Sequence, residues 1–407
     1  MKKLFIFALV LTVCQGLCAA TAVDDPAEQQ DTAKDNKPVF TTIKANPITS
    51  IKDQNRSGTC WDFSTLSFFE SEILKATGKE YDLCESFVAS HTYMDRAVAS
   101  VRMHGDISFS QGGSSYDPLY CAINYGLCPE DAMPAAGSLY GDTLNNYNEF
   151  FDVMTPYVEA IAKSDSKKLT PAWKNGLQGI LDAYLGQCPE TFEYEGKTYT
   201  PQSFAQSLGI DFNDYVSISS FTHHPFYETF IVEVQDNWRW KPTYNVKLDE
   251  MMQIIDYALE QGYTVMWGGD VSEEGFTRKG LAIAYDTKAV QSLAGSDAAR
   301  WLKLTKEKRT NLYDSLGVEA PEIVPTQEMR QEAYDNWETT DDHGMHLYGV
   351  AKDQNGREYY MVKNSWGQYG DYDGTWYMTK AYIAYKTMDI MVNKNAIPKD
   401  IRKKLGL

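Results

Sequence analysis

The chain has 407 residues, of which 43% are hydrophobic and 13% aromatic, and its formal net charge at pH 7 is -18. This composition supports a sizeable core and is too aromatic for a disordered chain, and the length fits one large domain or two or three small ones. The acidic balance argues against non-specific binding to nucleic acid or to an anionic membrane, because both need a basic protein surface.

The first 22 residues have the order of a secretory signal peptide. Lys2 and Lys3 precede an apolar run at residues 4–13, and small residues follow at 18–22, where we expect cleavage. The apolar run is too short to span a membrane as a mature helix. The pattern therefore predicts a protein that is exported, either periplasmic or secreted, and that has no stable membrane span.

Two alternatives for the N-terminus are less favoured. A lipid anchor would use Cys14 or Cys18, but Val13 and Leu17 are bulkier than that signal usually allows. A hydrophobic first strand of the mature fold is the other alternative. After the signal we expect a polar, flexible arm at 23–38, a globular domain at 39–398 and a short C-terminal tail at 399–407.

Signal removal leaves five cysteines, at Cys60, Cys84, Cys121, Cys128 and Cys188. An odd number in an exported protein leaves at least one thiol free or in an intermolecular bond. The other four could form two bridges, with Cys121 and Cys128 close in sequence, or could remain four buried thiols. The sequence does not decide between these pairings.

The segment 54–64 predicts a helix that begins at a cysteine. Thr59 is a candidate N-cap, Asp62 lies where a capping partner or an acid that matches the helix dipole belongs, and Gly78 is a plausible end. The positive end of a helix lowers the pKa of a thiol, so Cys60 is placed as a reactive nucleophile. A buried cysteine that only packs is the commoner alternative for an isolated position.

The rest of the chain alternates helical and strand patterns. Three more helices are predicted, two of them ended by a glycine, and the last third turns to strands, including a hairpin. The helices are 85–102, 116–125 (ended by Gly126) and 248–261 (ended by Gly262), and the strands are 263–267, 346–351, 358–363 and 374–378.

Four residues supply the functions that hydrolysis by a thiol nucleophile needs. Cys60 is the nucleophile, His343 at the start of a strand is the imidazole, and Asn364 at the end of the next strand can orient it. The amide of Gln54, with the backbone N–H of Cys60, can form the oxyanion site, and Trp366 can shield the imidazole–amide bond from water.

Several nearby residues favour structural roles. His346 competes with His343 but would face the other side of the strand. The pair His223-His224 suggests a metal site, yet no carboxylate or cysteine lies at ligand spacing in the sequence, so a loop or core pair is favoured. The turn at Gly112-Gly113 is compatible with a cleft wall.

These segments resemble the active-site motifs of the papain family. The resemblance is carried by 54–64 around Cys60, by 342–344 around His343, by 364–367 around Asn364 and by 111–113. It implies an α+β, papain-like two-lobed fold, with a helical lobe and a β-barrel-like lobe, and a large, mainly helical insertion at about 136–335. It also implies that the backbone of Gly112 and Gly113 and the side chain of Trp366 contact a peptide substrate, and that no cofactor or metal takes part.

Three departures point to the bleomycin hydrolase / aminopeptidase C branch. Ser57 stands where papain-like enzymes usually have a disulfide cysteine, and the gap from Cys60 to His343 far exceeds the roughly 130–150 residues of papain-like chains. The motifs also begin too early for a long inhibitory propeptide. Segments 265–271 and 343–345 resemble the same branch.

That resemblance implies a cytosolic homohexameric aminopeptidase in which the chain's own C-terminus lies in the cleft and restricts cleavage to free N-termini. The signal peptide instead predicts export. The short tail at 399–407 leaves a cysteine endopeptidase as an alternative, and a non-catalytic peptide-binding protein is a further, less favoured one. The sequence thus predicts a cysteine peptidase, with aminopeptidase action preferred.

Overall fold

The computed structural model describes residues 38–133, 145–289 and 316–407, together with residues 305, 308, 309 and 313. The expected signal peptide at 1–22 and nearly all of the arm at 23–38 lie outside the described residues. Within the described ranges, no helix is both long and apolar enough to cross a membrane.

The first half of the described chain forms a helical lobe. Its helices pack around a core that includes Phe68, Tyr93 and Leu177. The three helices predicted in this half of the chain are confirmed within a residue at each end, and the helix that begins at Cys60 is followed by Gly78 in the left-handed conformation (φ 71°). The helices are α1 (Cys60–Thr77), α2 (Glu85–Arg102), α3 (Tyr116–Asn124), α4 (Asn148–Ala162), α5 (Ala172–Leu185) and α6 (Pro201–Ser207).

One mixed sheet forms the second lobe. Its strands run in the order β5-β6-β4-β12-β7-β9-β10-β11-β8, and β1 pairs with β9 in addition. The strands are β1 (Thr41–Ala45), β4 (Tyr215–Ser219), β5 (Thr229–Ile231), β6 (Pro242–Asn245), β7 (Val265–Gly269), β8 (Leu281–Ala282), β9 (His343–Lys352), β10 (Glu358–Lys363), β11 (Thr375–Thr379) and β12 (Thr387–Asn393).

Helices cover the sheet, and a second apolar core lies between them. This core includes Ile254, Trp267 and Ile390. A separate hairpin joins β2 (Phe192–Tyr194) to β3 (Lys197–Tyr199). The helices of this lobe are α7 (Leu248–Glu260), α8 (Gln327–Asp335), α9 (Lys380–Lys386) and α10 (Lys399–Leu405).

The α+β, two-lobed expectation is confirmed, with two refinements. Among the described residues the sheet stays open, from β5 at one end to β8 at the other, and does not close into a barrel. In its described part, the expected insertion at about 136–335 contributes helices α4 to α8 and also the short strands β2 to β8. Its boundaries, and those of the other segments, stay predictions.

The predicted hairpin is confirmed and positions the candidate site. Strands β9 and β10 pair antiparallel, with Lys363 opposite His346, so the end of β10 lies beside the start of β9. Strand β7 pairs with β9 on its other side and places Gly269 opposite His343. Strand β9 begins three residues earlier than the hydrophobic pattern indicated, and so includes His343.

Candidate active site

The start of α1 holds Cys60, but its capping differs from the sequence expectation. Thr59 is the N-cap residue by position, and its carbonyl accepts hydrogen bonds from the N–H groups of Asp62 (3.0 Å) and Phe63 (3.1 Å). Its hydroxyl is instead 2.5 Å from that of Ser57. Asp62 is fully buried in the first turn of the helix, and neither of its carboxylate oxygens has a hydrogen-bond partner among the described residues, so of its two expected roles the capping bond was wrong.

Two features of its surroundings shift the pKa of the Cys60 thiol in opposite directions. Backbone N–H groups of Gly344 and Trp61 face it and lower its pKa, as a helix start should, but burial outweighs them and raises the pKa to about 12. The expectation of a depressed thiol pKa was therefore wrong. The neutral thiol must pass its proton to a base when it attacks a carbonyl.

Gly344 allows β9 to approach α1 at this point. A Cβ atom there would lie 2.6 Å from Ser64 Oγ and 3.2 Å from the carbonyl oxygen of Cys60. Both distances are too short for an ordinary side-chain contact. A glycine directly after His343 thus brings the imidazole strand against the nucleophile helix.

His343 and Asn364 meet at the open ends of β9 and β10. His343 Nε2 lies 2.8 Å from Asn364 Oδ1, and the same oxygen accepts from the N–H of Ser365 at 2.8 Å. An amide oxygen only accepts, so Nε2 carries the proton and Nδ1 is left as the basic nitrogen. Burial lowers the pKa of His343 to about 4, and the Asn364 bond opposes that shift.

Trp366 covers this pair. The centre of its ring lies 5.0 Å from that of His343, and it packs edge-on against Trp376 at 5.4 Å. These contacts place Trp366 where a shield for the imidazole–amide bond is expected, and its contact with a substrate stays a prediction.

Gln54 links the two motif segments. Its Nε2 donates to the carbonyl of Ser57 (2.7 Å), and its Oε1 accepts from the hydroxyl of Ser365 (2.6 Å). These bonds tie the loop before Cys60 to the loop after Asn364. The amide nitrogen has a second N–H, which is the donor that the oxyanion role requires.

His346 has the structural position that the strand pattern predicts. It is fully buried, and its Nδ1 lies 3.0 Å from the hydroxyl of Ser67 on α1. Its Nε2 has no hydrogen-bond partner among the described residues. His346 therefore packs between β9 and α1, away from the Asn364 amide.

A cleft of about 220 Å³ lies between the lobes in front of Cys60 and His343. The glycine pair forms one wall, although the carbonyl of Gly112 already accepts a hydrogen bond from Arg96. A Cβ atom on Gly113 would lie 2.8 Å from the ring of Trp61. The other lining residues that carry polar groups are Ser114, Ser115, Tyr116, Ser217, Asp236, Asn237, Lys241, Thr243, Asp341, Asp342 and Asp389.

Three of the four aspartates that line this cleft were missed by the sequence reasoning, which used only Asp342, in the motif around His343. Asp341 stands two residues before His343, so its position beside the motif was a usable signal. Asp236 and Asp389 come from the loop between β5 and β6 and from β12, far from any motif in sequence. Only the folded sheet brings these three carboxylates to one cleft.

All five cysteines described are free. Cys84 and Cys128, rather than Cys121 and Cys128, are direct neighbours: the N–H of Cys84 donates to the carbonyl of Cys128 at 3.1 Å. The thiol of Cys121 instead faces the carbonyl of Gly126 at 3.7 Å. Of the alternatives, the structure therefore has the four free thiols, of which those of Cys84, Cys121 and Cys128 are buried and that of Cys188 is partly exposed.

One surface group could hold a metal ion. His223 and His224 each place Nε2 at 3.1 Å from a carboxylate oxygen of Glu233, and the three ligand atoms lie within 4.8 Å of one another. The argument that no carboxylate lies near this pair was wrong, because β5 and the turn after it return Glu233 to the histidines. The group is partly exposed and lies outside the catalytic set.

A thiol at a helix start and an imidazole–amide pair at a strand edge, facing each other across a cleft between two lobes, define a papain-like cysteine peptidase. The Peptidase C1-like family model matches residues 7–337 and 310–406, so the chain belongs to that family.

Relatives of known name cover nearly the whole chain. Aminopeptidase C of Lactobacillus helveticus is 23% identical over 93% of this chain and 88% of its own length. Aminopeptidase G of Lactobacillus delbrueckii subsp. lactis is 22% identical over 88% and 84%. The crystal structure of PepW from Lactobacillus rhamnosis HN001 has a TM-score of 0.64 at 19% identity, over 90% of this chain and 84% of that one, which establishes the shared fold.

Proposed function

We propose that the protein is an exported cysteine aminopeptidase that removes residues from the free N-termini of peptides. The observation that carries the proposal is the bond between His343 Nε2 and Asn364 Oδ1, set across the cleft from the thiol of Cys60. It is supported by the names of the relatives, which are aminopeptidases throughout the most similar group.

The geometry suggests the following steps. As Cys60 Sγ attacks the peptide carbonyl, its proton passes to Nδ1 of His343, and the tetrahedral oxyanion is held by the N–H of Cys60 and the amide of Gln54. His343 then gives the proton to the leaving amine, which departs and leaves a thioester. Water, deprotonated by His343, hydrolyses the thioester and restores the thiol.

The discriminating experiment compares a fluorogenic amino-acid amide that has a free N-terminus with its N-acetylated form. Cleavage of the free form alone is the expected result, and the Cys60→Ala variant sets the background rate. Equal cleavage of both forms would instead identify an endopeptidase. Cleavage that survives in Cys60→Ala, or no hydrolysis and no labelling of Cys60 by a peptidyl electrophile, would overturn the catalytic assignment.

Location and assembly belong to the same proposal. The signal pattern at 1–22 supports export, which fractionation of cells that express the full chain would test. A homo-oligomer, a hexamer in the related branch, is testable by light scattering coupled to size-exclusion chromatography. A protein that is cytosolic and monomeric would contradict both parts without affecting the chemistry.

A further inference from the structure

Three aspartates from separate elements line the cleft near the nucleophile. Asp341 immediately precedes the His343 motif, Asp236 lies in the loop between β5 and β6, and Asp389 lies in β12. Asp341 and Asp236 are both close enough to Cys60 for their charges to raise the pKa of its thiol. The carboxylates therefore lie where a bound substrate would lie.

The three carboxylates have fewer positively charged neighbours than negative charges. Asp236 has a partner, since Arg96 Nη2 lies 3.2 Å from its Oδ1. Burial raises the pKa of Asp389 to about 6 and outweighs the hydroxyls of Ser115 and Ser217, which lower it. Asp341 has no hydrogen bond or ion pair within the described residues.

Asp341 is surrounded mainly by like charges. Burial and the neighbouring Asp236, Asp389, Asp342 and Asp270 raise its pKa well above the ordinary value. The cation that lines the same cleft is Lys241, and its ammonium group lies over the ring of Tyr116, 4.6 Å from the centre. A desolvated set of carboxylates is costly without a counter-charge, which a ligand with an ammonium group would supply.

Ser115 is an independent sign of a ligand at the same place. It lines the cleft at 3% exposure, and its hydroxyl has no hydrogen bond of ordinary geometry among the described residues, although it lies beside Asp389. A buried hydroxyl without a partner costs about 1–3 kcal/mol, and a bound N–H group would remove that cost.

We propose that the wall formed by Asp236, Asp341 and Asp389 binds the free α-ammonium group of the peptide's first residue, with Ser115 as an additional acceptor. The inference rests on the proposed aminopeptidase function and specifies how the cleft selects a free N-terminus. Charge-assisted hydrogen bonds from an ammonium to carboxylates are among the stronger contacts in a site that excludes water.

The position of Asp236 favours an N-terminus over a longer chain. Its Oδ2 would be 2.1 Å from a Cβ atom on Gly112, so its carboxylate lies directly against the glycine wall. A peptide that followed this wall past the first residues would collide with the side chain. Residues 399–407 do not line the cleft: Leu407 packs on the second core, and Lys404 bonds Glu250 of α7.

The test uses the full-length Asp341→Asn variant and three substrates: an alanyl amide, its N-acetylated form and an N-acetyl-lysyl amide. We expect kcat/KM for the alanyl amide to fall about 10- to 100-fold, mainly through KM, because a charged contact is lost. The Asp341→Glu variant should restore part of the loss. Asp165→Asn, which removes an exposed loop carboxylate, should change nothing.

Two further readouts separate recognition from folding. Cys60 should be labelled by an N-blocked peptidyl electrophile at least as fast as in the wild type, because the charge of Asp341 raises the pKa of its thiol. The melting temperature should be unchanged or higher, because a repelled charge has been removed. In the wild type, kcat/KM for the alanyl amide should also fall above about pH 8, where an α-amine loses its proton. If Asp341→Asn fails to fold, Asp389→Asn gives the same test.

The outcomes distinguish the two proposals. Equal cleavage of the free and acetylated alanyl amides by the wild type would reject the aminopeptidase function itself. A selective wild type whose Asp341→Asn and Asp389→Asn variants keep the same selectivity would reject only the ammonium site. A loss confined to the N-acetyl-lysyl amide would also reject it, because the wall would then bind a lysine side chain.

Discussion

The two lobes differ in whether their charged side chains have neighbours of opposite charge. In the helical lobe, Lys52 Nζ lies 3.1 Å from Glu70, 2.8 Å from Glu85 and 2.6 Å from Asp82, so each charge has an opposite neighbour. At the cleft edge of the sheet lobe, His343 has only a neutral amide, and Asp341 has no cation among the described residues. Compensated charges hold a fold together, whereas uncompensated ones are available to a substrate.

Asp62 is an exception within the helical lobe. It is fully buried in α1 without a hydrogen-bond partner in the described part of the chain, and burial raises its pKa well above the ordinary value. Lys52 lowers that pKa, but less than burial raises it. Burial thus favours the neutral form of Asp62, and the structure shows no contact that explains its choice.

The largest effect on activity should come from replacing His343, the general base in the sheet lobe. We expect His343→Gln to reduce kcat/KM by about 10²–10⁴-fold, because the thiol then has no base to take its proton. His346→Asn, three residues along the same strand, should keep most of the activity. Initial rates on the free alanyl amide measure both. Similar losses in the two variants would contradict the separation of the catalytic histidine from the packed one.

Breaking the helical lobe's charge cluster should affect stability rather than chemistry. Glu70 accepts from Thr49 (2.5 Å), Lys52 (3.1 Å) and the N–H of Leu83 (2.9 Å). Glu70→Ala leaves the Thr49 hydroxyl and the N–H of Leu83 without this acceptor, while Lys52 keeps Glu85 and Asp82. We therefore expect a loss of about 2–6 kcal/mol in the free energy of unfolding, at about 1–3 kcal/mol for each unsatisfied donor. Urea denaturation measures it, with Glu80→Ala, an exposed position, as the control.

For Glu70→Ala, the rate per active enzyme should stay near the wild-type value when active sites are counted by titration. A variant that is as stable as Glu80→Ala but catalytically impaired would show that the compensated cluster also serves the reaction.

The amide that orients His343 should have an intermediate effect. Asn364→Ala removes the acceptor of the 2.8 Å bond, so the imidazole can rotate and exchange tautomers. We expect kcat to fall about 10- to 100-fold, with KM little changed, since one charge-assisted hydrogen bond is lost in the transition state. Asn364→Asp should restore orientation. Steady-state kinetics of both variants, with active sites counted by titration, measure this effect. If kcat per active site is unchanged in Asn364→Ala and only the amount of folded protein falls, the role of Asn364 is purely structural.

The smallest effect is the contribution of the buried His346 to the pH dependence of stability. Burial lowers the pKa of His346 well below its ordinary value of about 6.5. Below that pH the unfolded chain binds a proton that the folded chain does not, so His346 costs stability as pH falls, by at most about 1.4 kcal/mol per pH unit. In urea denaturation, the free energy of unfolding of His346→Asn should therefore rise relative to that of the wild type as the pH falls from 6.5 to 5. A constant difference across that range would contradict it.

Much of the candidate site was readable from the sequence because its residues lie in local patterns. Cys60 precedes an apolar repeat of helical period, and Gly78 supplies the left-handed stop. His343 and Asn364 flank a hairpin whose turn is marked by a glycine, so their proximity follows from antiparallel pairing. Such signals depend on near neighbours along the chain, which the sequence displays directly.

The sequence was least informative where the environment is set by distant residues. A helix start suggests a depressed thiol pKa, yet burial between two lobes reverses the sign for Cys60. Glu233 joins His223 and His224 only through the return of the chain at β5. The expected capping by Asp62 failed because tertiary packing buries its side chain instead.

The sequence by itself supported the prediction of the nucleophile and of its imidazole and amide partners, because motifs are properties of short segments. The two-lobed α+β class was implied by the resemblance of those motifs to a known family. Only the tertiary structure decided the open sheet, the free thiols and the carboxylate wall of the cleft. Asp236, Asp341 and Asp389 come from three elements far apart in the chain, and their electrostatic effect depends on burial and distance, which exist only once the lobes are packed.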